Sequence, residues 1–189
     1  MNYNNYSISS GKGAFYLKSK TPQEGYEEVT YGTEGKKTYH KYQKTVEGFL
    51  TGFDTKELEF EGKKLHFLEV VLSYGDDINK ISVPLKDSKN NYSSDARAII
   101  SSLNSADVNE EYSVSVYTKD NVKGDKTYKN TSIFFNYKNR KNEEGKNIST
   151  GFIPYEEIPK PIKDEDEDLG TTYDFKPVNK FYAQKNQKH

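Results

Sequence analysis

The reading of the fold rests on Lys44 to Lys138. Its pieces are TVEGFLTGFDTKELEF at 45–60, KLHFLEVVLSY at 64–74, KISVPL at 80–85, SSDARAIISSLNSA at 93–106, YSVSVYTK at 112–119 and YKNTSIFFNYK at 128–138. Most of them alternate with the two-residue period of a strand that buries one face. His66, Leu68, Val70 and Leu72 share one side of their strand, with Leu65, Phe67, Glu69 and Val71 on the other. Ile81, Val83 and Leu85 alternate with Lys80, Ser82 and Pro84, and Tyr112, Val114 and Val116 with Ser113, Ser115 and Tyr117. In the last piece Ile133, Phe135 and Tyr137 oppose Phe134. The 93–106 segment has a different period: Ala96, Ile99, Ile100 and Leu103 fall on one helical face, behind Ser93 or Ser94 as N-cap. Gly48 and Gly52 interrupt the first strand, as at bulges or sharp bends.

Three strands, one short helix and two more strands is the order of an OB-fold, the small Greek-key barrel used to bind oligonucleotides and oligosaccharides. The expected fold class is therefore mainly β, a five-stranded barrel with one helix between strands three and four. Around it lie an N-terminal arm over 1–44, packed on the barrel at 45–153, and a flexible tail over 154–189. Within the arm, residues 1–11 are Asn/Ser/Tyr-rich and read as flexible, while AFYLK and EEVTYG read as short strands. After Arg140 the prolines and charges predict no regular element.

Composition narrows the function. Only 32% of the 189 residues are hydrophobic, which suffices for one small barrel core but not for two. Sixteen Tyr and ten Phe supply more ring area than such a core can hide, so exposed rings are expected. Cys is absent, which removes disulfides, thiol catalysis and thiolate metal sites. His40, His66 and His189 are scattered, with no metal-ligand spacing, and Gly11-Lys12-Gly13 lacks the strand–loop–helix context of a phosphate loop. No nucleophile–base or paired-carboxylate arrangement is visible, so no enzyme and no cofactor is expected. The opening MNYNNYSISSGKG has no apolar signal core, and no apolar run approaches the ~20 residues of a membrane span. The expectation is a soluble protein of the cytoplasm with no membrane partner.

The net charge of −1 hides an uneven distribution. Residues 1–44 hold seven Lys against four Glu, residues 156–168 seven acids against two Lys, and residues 169–189 four Lys against one Asp. A single-strand binder needs cations along the phosphates and rings on which bases stack without being read. By alternation the outward rings are Phe49, Phe53, Phe67, Tyr117 and Phe134. The matching cations are Lys63 and Lys64 at the first hairpin, Lys80 on strand three, and Lys123, Lys126 and Lys129 around the last, with Lys138, Arg140 and Lys141 extending the series. In the arm, Lys37, Tyr39 and Lys41 belong to the densest interleaving of bases and rings, which otherwise reads as an edge strand kept soluble by lysine.

The runs GKGAFYLKSK, GKKTYHKY and FEGKKLHFLEVVL give the chain a further resemblance, over residues 12–140 at most. It resembles the OB-fold single-stranded DNA-binding proteins of tailed bacteriophages, in particular those of gut phages. The resemblance implies a protein that coats single-stranded DNA in phage replication or recombination, in the host cytoplasm. It also implies an acidic segment that contacts replication proteins and competes with DNA, which Asp164, Glu165, Asp166, Glu167 and Asp168 match. In that family the acidic segment usually ends the chain, whereas here a basic, aromatic extension follows. The alternative is a phage structural or protein-docking module built on the same barrel; an RNA-binding or sugar-binding barrel is a further rival.

Overall fold

A computed structural model describes residues 1–31, 35–60, 62–166, 170–174 and 176–186. The strands before the barrel region are β1 (Asn2–Ser9), β2 (Ala14–Ser19), β3 (Glu27–Tyr31) and β4 (Lys36–Gln43). The alternating segments form β5 (Thr45–Phe60), β6 (Lys63–Tyr74), β7 (Asp77–Pro84), β8 (Glu111–Lys123) and β9 (Lys126–Lys141), with helix α1 (Ser94–Leu103) between β7 and β8. Ser93 is the N-cap, its hydroxyl accepting from the Ala96 amide at 3.1 Å. All four apolar positions read onto the helix face are buried.

The inner faces are also as the alternation predicts. Leu68, Val70 and Leu72 of β6 pack with Ile81 and Val83 of β7, Val114 and Val116 of β8, and Ile133 and Phe135 of β9. Truncating one of these Leu or Ile side chains to Ala is expected to cost ~2–5 kcal/mol, because packed neighbours relax only partly into the cavity. Ser102 of α1 ties the helix to this layer by donating to the Ile133 carbonyl at 2.6 Å.

The closed five-stranded barrel is replaced by one ten-stranded mixed sheet of order β10-β9-β8-β5-β6-β7-β1-β2-β4-β3, with β10 at Asn147–Ser149. Within it β9, β8, β5, β6 and β7 are successive neighbours. Closing those five into a ring would require β7 to pair with β9. Instead β7 takes β1 in parallel, from Asn2↔Asp77 to Tyr6↔Ile81. Side chains reinforce this ladder: Asn2 donates to Asp77 at 2.8 Å and Asn4 to Asn79 at 3.0 Å, while Tyr6 enters the core. The stretch read as a flexible arm is thus an internal strand.

The sheet bends far enough for the turn between β1 and β2 to meet β8, although four strands separate β2 from β8 in the order. Thr118 of β8 donates to the Ser10 carbonyl at 2.9 Å, and Lys129 of β9 to that of Gly11 at 3.0 Å. Gly13 in this turn has φ +55, and a Cβ there would lie 3.0 Å from the Thr118 hydroxyl. Only a residue without a side chain lets the turn sit so close.

One irregularity in β5 changes which residues share a face. Phe49 pairs with Ser73 and Leu50 with Leu72, but Gly52 pairs with Val71 and Phe53 with Val70. The extra residue between Leu50 and Gly52 reverses the alternation beyond it. Upstream, Gly48 crosses β6 so closely that a Cβ would stand 2.7 Å from the Ser73 carbonyl oxygen.

The chain after β10 is not featureless. A single 3-10 turn at Tyr155–Glu157 precedes a separate two-stranded hairpin, β11 (Ile162–Asp166) and β12 (Gly170–Asp174). Helix α2 (Lys176–Asn186) then packs on α1 through Val178 and Tyr182, both buried. Asn179 of α2 accepts from the Tyr92 amide at 2.9 Å. Pro177 is compatible with the helix because the first turn needs no donor there.

Candidate nucleic-acid interface

β5 covers the edge of β8 only from Glu111 to Ser115. Beyond that point the β1–β2 turn faces the uncovered edge across a cleft of ≈ 500 Å³. Lys12, Lys44 and Lys129 line it with Thr45, Ser115, Tyr117, Thr118 and a single carboxylate, Asp120. Two of the lysines are aimed by backbone, and among the described residues neither lies within ion-pair distance of an acid, although Asp120 stands opposite Lys129 in the β8–β9 ladder. Lys44 donates to the Lys12 and Gly13 carbonyls at 3.0 and 2.9 Å, and Lys129 to that of Gly11. Each retains donors for an anion. Lys12 pairs with Glu27, and that hydrogen bond raises its pKa.

Rings stand beside the cleft on the outer face of β8 and β9. Tyr117 is 60% exposed, and its ring meets Phe134 edge-on at 5.5 Å. Phe134 in turn meets Phe152 edge-on at 5.2 Å. Phe152, half out of the surface, is not among the sequence candidates, and no local pattern signals it, because its place beside Phe134 is set by a contact between separate segments. Edge-on contact fixes the rings against one another while leaving faces for a base.

The other end of the same strands differs. Lys138 bonds Glu47 at 2.8 Å and lies 3.5 Å from Glu111, while Arg140 reaches Glu110 at 2.8 Å and Asp107 at 3.0 Å. Hydrogen bonding to Glu47 raises the pKa of Lys138, and bonding to Glu110 that of Arg140. Phe49, outward as expected and 44% exposed, pairs across to Glu111 on this acidic side.

The remaining candidates scatter. Phe53 is corrected to the inner face, where it packs against the core, because of the extra residue in β5. Phe67 is outward but half-buried, opposite Pro84, in a second cleft with Lys64, His66 and Lys86. Those cations are committed: Lys64 pairs with Glu57 at 2.8 Å, and Lys86 lies 3.8 Å above the Tyr92 ring. Lys80 is outward and half-buried on β7. The side chain of Lys126 lies outside the described set. Asp164, Glu165 and Asp166 run along β11 with side chains also outside it, and Glu167 and Asp168 lie outside the described residues.

In the arm the strand divides the expected cluster. Lys37, Tyr39 and Lys41 point to one side of β4, with Lys37 paired to Glu28 at 3.0 Å. His40 and Tyr42 point to the other side and join Tyr16 of β2 and Tyr31 of β3. His40 stacks on Tyr16 at 4.3 Å and 13°, and is only 2% exposed. Its Nε2 bonds the Tyr31 hydroxyl at 3.1 Å, and its Nδ1 that of Tyr42 at 3.2 Å. Burial lowers the His40 pKa, with Lys18 and Lys12 adding to the effect, so the ring is held neutral.

Comparison of the chain with protein-family models, curated proteins and solved structures returns no match. Among the described residues no group of three or more His, Asp or Glu is placed to hold a metal ion, and no helix is long and apolar enough to cross a membrane.

Proposed function

We propose that this protein binds single-stranded DNA with little sequence preference, on the outer face of β8 and β9 and in the adjoining cleft. The observation that carries the reading is the ring series Tyr117–Phe134–Phe152, exposed at its two ends and half-buried at Phe134, beside a cleft with three lysines and one carboxylate. The rings stack bases of any identity, and Lys44 and Lys129 take the phosphates between them. None of the lining groups forms a nucleophile–base pair, so the chemistry on offer is binding. Action in phage DNA replication or recombination, and an OB-type ancestry for the five-strand unit β9-β8-β5-β6-β7, follow from the sequence resemblance and the helix position.

The test is titration of labelled oligo-dT at two salt concentrations. Counterion release makes affinity fall steeply with salt. Absence of binding at low salt sinks the reading. A second reading, docking of another protein, is favoured by Leu58 and Leu65, which face each other across β5 and β6 and are both exposed. Co-purification with virions and indifference to oligonucleotides would favour that alternative.

A further inference from the structure

We infer that the tyrosine cluster around His40 is a second base-stacking platform, joined to the cleft through Lys12, so that a long single strand runs from β8–β9 onto β2, β4 and β3. The inference rests on the single-strand reading above and extends its path.

Lys12 makes the connection. It lines the cleft, and its ammonium also stands 3.8 Å above the centre of the Tyr42 ring. A phosphate leaving the cleft past Lys12 therefore arrives beside Tyr42. Lys18 lies at the far side of the cluster, 5.7 Å from the Tyr31 ring centre, with no carboxylate within ion-pair distance among the described residues. The rings between two cations are Tyr42, Tyr16 and Tyr31, and Tyr31 is 45% exposed.

His40 is what makes the cluster a platform rather than loose surface rings. Held neutral, it donates from one ring nitrogen and accepts at the other, so it bonds both tyrosine hydroxyls at once. Both phenols are thereby oriented before any ligand arrives, which lowers the ordering cost of stacking. The core gains nothing from this arrangement: the cluster lies on the face of β4 opposite Lys41, whose partner Leu17 packs against the core. Glu27 is paired with Lys12 at the junction, and a phosphate would compete with it for that ammonium.

The test compares oligo-dT of roughly 5 and roughly 20 nucleotides, one near the lower end of the site sizes of single-strand-binding barrels and one beyond their upper end. For Tyr31→Ala, affinity for the long oligomer should fall about tenfold while the short one binds as before, because the short one is satisfied by the β8–β9 face. Tyr31→Phe keeps the ring but loses its bond to His40, and should lower long-oligomer affinity by less than Tyr31→Ala does; Lys18→Gln should flatten the salt dependence for the long oligomer only. Thermal melts confirm that each variant is folded. Equal losses at both lengths, or no loss at the long one, overturn the inference while leaving the first site standing. If wild type binds neither oligomer, the underlying reading fails first, and the two failures are told apart.

Discussion

The two ends of the β8–β9 pair carry similar residue types to opposite effect. Toward the β1–β2 turn, Lys44 and Lys129 donate to backbone carbonyls and stand beside exposed rings. Toward the β10 end, Lys138 and Arg140 are held by Glu47, Glu111, Glu110 and Asp107. A cation bonded to a carbonyl keeps its full charge for a polyanion, whereas one held by two carboxylates presents a net negative group. The number of lysines on a strand therefore says little about where a phosphate will go; their partners decide it.

The strongest way to break this contrast is to remove the rings at the open end. Tyr117→Ala with Phe134→Ala should weaken oligo-dT binding by about 1–3 kcal/mol per base unstacked, read by fluorescence titration. If the double variant binds like wild type, the open end is not the site. Next in size, Lys44→Gln and Lys129→Gln should each reduce the slope of log affinity against log salt by ~0.7, the value per phosphate for single strands. An unchanged slope would mean that these lysines serve only the turn.

His40 makes the stability of its cluster depend on pH. Its pKa is lowered in the folded protein, so the unfolded chain binds the proton more readily. The stability this supplies is complete above the unfolded value of ~6.5 and is lost as pH falls below it, through the folded pKa. Thermal melts should show a downward step on acidification that His40→Gln lacks. A melting temperature independent of that substitution across the range would contradict the assignment. The smallest effects are expected at the closed end: Lys138→Gln or Arg140→Gln should alter oligo-dT affinity less than twofold and should shift the melting temperature little, since ion pairs near the surface contribute little to stability. A large loss of binding from either would collapse the contrast.

Much of this was legible from alternation alone. The inner residues of β6 to β9, the Ser93 cap and the buried face of α1 all follow from side-chain period. Phe53 failed because one inserted residue reverses a period of two, and the glycines signalled an irregularity without saying on which side of it the reversal begins. Tyr39 and His40 could not be separated while the segment was taken as a cluster; once it is a strand, neighbours face opposite ways. Tyr16, Tyr31 and Lys12 entered the site only through pairing of β2, β3 and β4, which no local pattern encodes. The ion pairs that withdraw Lys138 and Arg140 are likewise set by residues far along the chain.

The β1–β7 ladder has a consequence for how the protein is made. Asn2 bonds Asp77 across 75 positions, so β1 leaves the ribosome long before its partner exists. At roughly 5–20 residues per second the wait is on the order of 4–15 s. An apolar strand left unpaired for that time would be prone to aggregate. NYNNYSIS is mostly amide and hydroxyl, and can stay hydrated until β7 arrives. The composition that made this segment look like a flexible arm is suited to a strand that must wait in water.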